Sequence, residues 1–214
     1  VSYNISINSP PLKIISKMVE HITVNNEIIN KIKCGKIYSQ YSHSNKIDRL
    51  NGHDFLQFDC SGFVAWYIGT NGYLRALVEV RNQLQDTDFI KINRFYCQDF
   101  ERFYQNSDNL KYWEIHKDIF DIKPGDILVV VYDDANGHMM IVDSILGRNE
   151  NTLELRIVDS TRLHHKNDIR SGEQTGIGCG DIKITKSGNN IVYDSQNPDR
   201  TPTNVNIYIA RAIK

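Results

Sequence analysis

The chain has 214 residues, 25 Lys+Arg against 26 Asp+Glu, a formal net charge of −1 and 40% hydrophobic residues. This length suits one domain, or one domain with an appendage, and the composition is that of an ordinary globular protein. A nearly neutral chain without a basic stripe has no electrostatic basis for capturing nucleic acid or an anionic membrane. No apolar run approaches the roughly 20 residues that span a bilayer. We therefore expect no nucleic-acid partner and no membrane span, and we favour a monomer.

The N-terminal part is predicted to be an extended arm and a helix, one face of which docks on the main domain. Pro10-Pro11 ends an extended arm and starts a predicted helix from about Leu12 to Lys33, with one apolar face at helical spacing. Residues 1–35 are thus interpreted as arm and helix, and residues 36–214 as a single domain. Residues 36–58 are polar with scattered tyrosines and are interpreted as a loop.

The most informative segment reads Phe58-Asp59-Cys60-Ser61-Gly62, followed by an apolar run. It predicts a loop that becomes a helix, with the cysteine in the first helical turn. Because the first amides of a helix lack intrahelical partners and the dipole is positive there, the thiolate is stabilised and more nucleophilic at neutral pH. The alternative is a buried cysteine that packs as a small hydrophobe.

Beyond this helix, which is predicted to end near Gly69–Gly72, the pattern changes twice. The segment at about 73–120 is mainly helical and is interpreted as an insertion covering one side of the site. After Lys123-Pro124-Gly125-Asp126 come β-branched runs separated by turn residues, which predict short strands. Helices followed by a meander of strands favour an α+β fold with an antiparallel sheet. The predicted strands are 127–131, 138–142 and 153–159, with others near 181–185, 191–193 and 205–210.

His138 opens an otherwise apolar strand, where a rigid element would hold an imidazole as a general base. Asp159 ends the next strand on the same face as Leu155 and Ile157, so it is our candidate for the group that orients the ring. The alternatives are a strand-edge histidine bonded to backbone and a turn-capping aspartate. His164 and His165 are fallback orienting groups, although solvent-exposed loop histidines are the preferred interpretation of both.

The cysteines give no sign of a metal site or a disulfide framework. Cys34, Cys60, Cys97 and Cys179 lie far apart and include no closely spaced ligand pair. A zinc site built from three histidines and Cys179 matches no structural or hydrolytic zinc spacing. We therefore expect no metal or organic cofactor. The three cysteines other than Cys60 are interpreted as buried thiols, with a single disulfide bridge as the alternative.

Three blocks in this order resemble the NlpC family of papain-like cysteine peptidases, which cut peptide stems of bacterial cell walls. They are Asp59-Cys60-Ser61-Gly62-Phe63-Val64, Lys123-Pro124-Gly125-Asp126-Ile127 and Gly137-His138-Met139-Met140-Ile141-Val142. The resemblance implies an α+β, papain-like fold with N-terminal helices packed on an antiparallel β-sheet, as a meander or a partly closed barrel. The family's third catalytic position would fall on Asp159, where members more often carry histidine.

The resemblance also implies substrate-binding residues. Asp59 and Ser61 would bind the substrate's free amine or backbone, and an upstream tyrosine, Tyr38 or Tyr41, would contribute. An aromatic loop that packs on the core is the preferred alternative for the tyrosines. The insertion before Lys123 is longer than expected for the family and would reshape the substrate groove. The resemblance therefore supports the family's substrate less strongly than the family's chemistry.

The resulting hypothesis is a cysteine peptidase or amidase that hydrolyses amide bonds, in cell-wall peptide stems, through a Cys60 thioester. Alternatives are a secreted amidase, deamidase or acyltransferase toxin with a non-wall target, and a catalytically inactive wall- or protein-binding module. The family resemblance and the missing initiator Met favour an exported protein, periplasmic or extracellular.

Overall fold

In a computed structural model of the protein, the described residues are 30–31, 37–84, 96–106, 108–132 and 136–213. The predicted N-terminal arm, nearly all of the helix predicted at about 12–33, and Cys34 lie outside these residues. The statements below concern the described part of the chain.

Three α-helices precede most of the strands. Helix α1 spans Cys60–Thr70, α2 spans Leu74–Gln83 and α3 spans Cys97–Gln105, and one 3₁₀ turn covers Ile119–Asp121. The ten strands are β1 Ile37–Tyr41, β2 Lys46–Leu50, β3 His53–Phe58, β4 Trp113–His116, β5 Ile127–Val131, β6 Gly137–Arg148, β7 Thr152–Thr161, β8 Gly176–Ser187, β9 Asn190–Asp194 and β10 Thr203–Ala212.

Six strands form a closed antiparallel barrel in the order β5-β6-β7-β8-β9-β10. The barrel closes because β10 pairs with β9 through its first residues, 203–205, and with β5 through residues 206–210. Of the described residues, 46% are in strands and 21% in helices. The prediction of an α+β, papain-like fold with helices packed on an antiparallel sheet is therefore wrong. The sequence showed only short apolar runs, whereas β6, β7, β8 and β10 are 10 to 12 residues long. Strands of this length allow the sheet to curve and close into a barrel.

A second, three-stranded sheet corrects the loop predicted at 36–58. Strand β3 lies between β1, to which it is parallel, and β2, to which it is antiparallel. The exposed strand β2 carries polar residues, so its sequence lacked the apolar alternation that predicts a strand. Strand β3 leads directly into α1, and the Ser160 hydroxyl on β7 donates to the Phe58 carbonyl at 2.6 Å. This bond fixes the entry of α1 beside the barrel.

The predicted helical insertion at 73–120 contains α2 and α3, but it ends in strand β4, which extends the barrel sheet beside β10. The Trp113 indole N–H donates to the Ala76 carbonyl of α2 at 2.9 Å. The helices are thereby attached to the outside of the barrel. No helix in the described ranges has both the length and the apolar character needed to cross a membrane.

Alternation along the barrel strands separates two cores. On β6, Met140 and Val142 face the barrel interior, whereas Met139 and Ile141 pack outward against the helices. On β7, Leu155 and Ile157 belong to the interior core. His138 and Asp159 continue these two inward-facing rows toward one end of the barrel, which therefore positions the site.

Candidate functional site

Cys60 is the first residue of α1, as predicted, and its N-cap is Asp59. The Asp59 carboxylate accepts the Gly62 amide at 2.7 Å, which satisfies one of the orphan donors at the helix start. The Cys60 side chain is buried, and it lines a cavity at the end of the barrel. Its sulfur therefore lies in the positive end of the helix dipole and still borders open space.

The surroundings of Cys60 favour its thiolate. The pKa of Cys60 is lowered well below its usual 9.0, first by a hydrogen bond from Cys97 and then, against the opposing effect of burial, by the hydrogen bond and charge of His138. The Met139 backbone N–H adds a third donor. The Sγ atoms of Cys60 and Cys97 are 4.0 Å apart. Cys97 stays protonated, because its contact with the Cys60 sulfur and its burial raise its pKa.

His138 and Asp159 lie on adjacent strands, where Met140 pairs with Asp159 across β6 and β7. His138 is two residues before Met140 on the same face, and its Nε2 lies 2.6 Å from Asp159 Oδ2. Burial alone would lower the pKa of His138. Hydrogen bonds to Asp159 and Cys60, and the negative charge on both, outweigh it and raise the pKa of His138 to about 10. The ring therefore favours the imidazolium form next to a thiolate.

Asp159 is completely buried, and its carboxylate has two further hydrogen-bond partners, His165 and Arg170. His165 Nε2 lies 2.8 Å from Oδ2, and the Arg170 guanidinium donates to Oδ1 at 3.0 Å. Asp168 fixes that guanidinium through Nε at 2.8 Å and Nη2 at 2.6 Å. Burial would raise the pKa of Asp159, but Arg170, His165 and His138 together hold it well below its ordinary value. Asp159 is thus a buried carboxylate that keeps its charge.

Sequence reasoning undervalued His165 and missed Arg170. His165 is buried rather than solvent-exposed, whereas His164 bonds through Nε2 to the Gln174 carbonyl at 2.8 Å. The Arg170 and His165 side chains both pack against alternating glycines of β8. A Cβ on Gly178 would lie 2.5 Å from Arg170 Nε, and one on Gly180 would lie 2.5 Å from His165 Cβ. These glycines leave room for the segment that carries both side chains against the strand.

The structure divides the predicted substrate-binding residues into two groups. Tyr41 lines the cavity, but Tyr38 is 45% exposed and packs edge-on against His53. Asp59 and Ser61 are buried and lie outside the cavity lining. The Ser61 hydroxyl donates to Asp59 at 3.3 Å, so both side chains belong to the start of α1.

The cavity has a volume of about 810 Å³ and lies beside Cys60 and His138. Its wall combines β6 and β7 residues with Tyr132, Tyr193 and the segment after β7. This volume is of the size that holds a peptide-sized or small organic ligand. A substrate carbonyl can therefore reach the sulfur from this side.

His138, Asp159 and His165 also form the group among the described residues that best suits a metal ion, with ligand atoms within 4.8 Å of one another. Cys179 and His164, the other two residues of the zinc set that the sequence argued against, are not part of it. The two nitrogen–oxygen distances of 2.6 and 2.8 Å are hydrogen-bond lengths. Tetrahedral zinc ligands at about 2.0 Å would stand roughly 3.3 Å apart. With Arg170 on the same carboxylate, the arrangement fits proton handling better than metal binding.

Neither a protein-family model, nor a curated protein, nor a solved structure matches the chain. The resemblance to the NlpC family therefore stays a prediction that depends on the three sequence blocks.

Proposed function

We propose that the protein is a cysteine hydrolase of amide bonds, in which Cys60 is the nucleophile, His138 the general acid and base, and Asp159 the orienting carboxylate. One arrangement carries the proposal: Cys60, at the start of α1, lines the same cavity as His138, and His138 Nε2 lies 2.6 Å from the buried Asp159 carboxylate. A nucleophile, a base and a group that orients the base are the parts that covalent catalysis requires. The lowered pKa of Cys60 and the raised pKa of His138 support an ion pair that is ready at neutral pH.

In the first half-reaction, the Cys60 thiolate attacks the amide carbonyl carbon and forms a tetrahedral intermediate. The His138 imidazolium then gives its proton to the leaving nitrogen, the carbon–nitrogen bond breaks and a thioester remains. In the second half-reaction, neutral His138 takes a proton from water, whose oxygen attacks the thioester. The acyl group leaves as a carboxylic acid, and the thiolate and the imidazolium are restored.

The negative charge that develops on the substrate's carbonyl oxygen in the tetrahedral intermediate needs a hydrogen-bond donor. The Cys60 backbone N–H at the first position of α1 has no intrahelical acceptor and points out of the helix start. A donor in this role contributes roughly 3 kcal/mol to lowering the barrier in comparable sites. Asp159 keeps the ring in the productive orientation through both half-reactions, and Arg170 keeps Asp159 charged.

For the substrate we propose peptide stems of the bacterial cell wall, on the basis of the resemblance of the three sequence blocks to the NlpC family. The correction of the papain-like fold removes one support for this substrate and leaves the proposed chemistry unchanged. Amide hydrolysis or acyl transfer on a non-wall target shares the same thioester, so it differs only in the product.

The decisive experiment is digestion of purified cell wall, with the released fragments identified by mass spectrometry. The Cys60→Ala variant should release no fragments, whereas Cys179→Ala, which changes a buried thiol outside the cavity, should retain activity. Unchanged circular dichroism of Cys60→Ala would show that the loss is chemical.

The outcomes separate the candidate functions. Fragment release that survives Cys60→Ala would refute the mechanism. An inert wall combined with rapid alkylation of Cys60 by iodoacetamide at pH 6 would redirect the search to another amide or acyl donor. An inert wall with an unreactive Cys60 would favour a binding module.

A further inference from the structure

The cavity beside Cys60 is lined by basic side chains and by no acidic ones among the described residues. Among the described residues that line it there is no aspartate or glutamate, but there are three histidines and two arginines. The arginines are Arg162 and Arg200, and both are exposed. Their positive charges face a concave space rather than open surface, and a low-dielectric wall strengthens the attraction for an anion there.

Arg162 directly follows β7, three residues after Asp159. Its guanidinium lies 5.0 Å from the centre of the Tyr41 ring, which orients the side chain over the cavity without neutralising it. Arg200 lies on the segment before β10, close enough to Tyr193 to influence its ionisation. The two arginines therefore come from separate segments and line the same cavity.

Three other arginines are neutralised by carboxylates. Arg156 pairs with Asp181, Arg170 with Asp159 and Asp168, and Arg211 with Asp126. Neither Arg162 nor Arg200 pairs with a carboxylate of the described residues. Their charges are therefore available to a ligand.

We propose that Arg162 and Arg200 form a subsite for a carboxylate carried by the substrate close to the amide that is cleaved. The inference rests on the proposed function, because it assigns a substrate class to the same site. A carboxylate would accept planar, bidentate hydrogen bonds from either guanidinium, a geometry that lysines would not supply. The substrate is thus an acidic peptide rather than a neutral or basic one.

The test compares two alkylating reagents of almost equal size, iodoacetate and iodoacetamide, which differ in charge. Their rate constants at Cys60 are measured by peptide mapping in the wild-type protein, Arg162→Gln, Arg200→Gln and the double variant. Arg148→Gln is the matched control, since Arg148 is exposed, stacks over Phe120 and lies at the opposite end of β6 from His138. The ratio of rates cancels changes in thiol reactivity that affect both reagents.

We expect the iodoacetate-to-iodoacetamide ratio to fall roughly three- to tenfold in the double variant and less in each single variant. It should be unchanged in Arg148→Gln, and 0.5 M salt should shrink the wild-type ratio toward that of the double variant. A ratio that stays within twofold in the double variant, with Cys60 still reactive, overturns the subsite alone. Failure of both reagents to modify Cys60 overturns the proposed function, and the subsite with it.

A different observation concerns the second thiol, Cys97, which takes part in no bond-forming step of the proposed mechanism. Cys97 is the first residue of α3, is buried, and places its Sγ 4.0 Å from that of Cys60. A Cβ on Gly137 would lie 2.7 Å from Cys97 Cβ, so the strand that carries His138 is packed tightly against this cysteine. The two sulfurs come from two helices that start at the same place.

We infer that Cys60 and Cys97 form a reversible disulfide when the protein meets hydrogen peroxide. The Cys60 thiolate attacks the peroxide, the O–O bond breaks, and Cys60 becomes a sulfenic acid while hydroxide leaves and takes the His138 proton. The Cys97 thiol then attacks the sulfenic sulfur, a sulfur–sulfur bond forms and water leaves. A side-chain movement of roughly 2 Å brings the sulfurs to bonding distance.

Peroxide treatment of the full chain, followed by non-reducing peptide mapping, tests this inference without a substrate. The wild-type protein should lose 2 Da, link the Cys60 and Cys97 peptides and be restored by dithiothreitol. Cys97→Ser should instead gain about 32 Da at Cys60, irreversibly, and Cys179→Ser should behave as wild type. A wild-type protein that forms the sulfinic acid as fast as Cys97→Ser, or links Cys60 to another cysteine, overturns the inference.

Discussion

Two fully buried carboxylates, Asp126 and Asp159, show how differently one fold can use the same group. Asp126 lies just before β5, accepts the Lys123 backbone amide at 2.9 Å and forms a 2.6 Å ion pair with Arg211. Burial raises its pKa more than these partners lower it. Asp126 therefore fastens a turn, and its burial disfavours the charged form of the carboxyl.

Asp159 is equally buried, but its pKa is held well below the ordinary value although burial opposes this, because Arg170, His165 and His138 all face it. The groups that face each carboxylate, rather than burial alone, set the opposite directions of the two pKa shifts. A permanently charged Asp159 can hold an imidazolium, whereas Asp126 has no titratable partner in the cavity beside Cys60. Under the proposed function, Asp159 therefore serves the chemistry of the site, whereas Asp126 serves the stability of the fold.

The largest expected contrast comes from the isosteric pair Asp159→Asn and Asp126→Asn. Removing the charge beside His138 should lower wall hydrolysis by roughly 10³-fold or more, as loss of the orienting carboxylate does in triads. Asp126→Asn should leave the hydrolysis rate within about threefold. Rates of fragment release, normalised to folded protein, measure both.

The Asp159 variant also loses a partner of Arg170, which costs about 3–5 kcal/mol when a buried pair is broken. Alkylation of Cys60 by iodoacetamide at pH 6 therefore provides a readout in the folded fraction, and we expect it to slow at least tenfold. Equal losses in both aspartate variants would remove the distinction between the two regions.

The pH dependence of Cys60 alkylation sharpens the comparison. In the wild-type protein, the thiolate–imidazolium pair forms as pH rises through the lowered Cys60 pKa and ends as His138 loses its proton at about 10. Because Asp159 supplies part of the rise in the His138 pKa, Asp159→Asn should move the upper limit downward. Asp126→Asn should leave both limits in place. A single transition near the ordinary thiol pKa in the wild-type protein would contradict an activated cysteine.

Parts of this site could be predicted from sequence because they depend on local patterns. The start of α1 at Cys60 follows from its capping aspartate and apolar run, and β5 matches the predicted bounds 127–131. Alternation on β7 placed Asp159 beside the β6 strand that carries His138, and the two side chains lie in contact. Their catalytic roles remain predictions.

Barrel closure could not be predicted because it depends on β10 pairing with two strands distant in sequence. Arg170 and His165, which hold the Asp159 carboxylate, had no local signature either, since they follow β7 in a segment without periodicity. Only the spaces left by Gly178 and Gly180 recorded their packing, and those clashes are visible only in three dimensions.

A smaller effect is expected in the pH dependence of stability, where the two carboxylates should act with opposite sign. The lowered pKa of Asp159 contributes stability that is present above its unfolded value of about 3.9 and is lost as pH falls through the folded pKa. The raised pKa of Asp126 contributes stability that is present below about 3.9 and is lost as pH rises through the folded pKa.

Urea unfolding between pH 2.5 and 6 measures both contributions as differences from the wild-type protein. The free-energy gap between wild type and Asp159→Asn should widen as pH rises across this range. The gap for Asp126→Asn should narrow. If both free-energy differences changed in the same direction with pH, the pKa values of Asp159 and Asp126 would not be shifted in opposite directions.

The smallest effects are expected when the arginine beside each carboxylate is replaced by lysine. Arg170→Lys keeps the charge but loses the fork that joins Asp159, Asp168 and the Gly176 carbonyl. We expect Cys60 alkylation to slow two- to fivefold, because Asp159 is then less firmly placed against His138. Arg211→Lys, whose side chain is one-quarter exposed, should leave that rate unchanged and lower stability by about 1 kcal/mol or less. The contrary outcome is that Arg170→Lys lowers stability and leaves the Cys60 alkylation rate unchanged, as expected for Arg211→Lys. In that case the hydrogen bonds of Arg170 would be structural, and His138 would be oriented by its own strand rather than by the arginine.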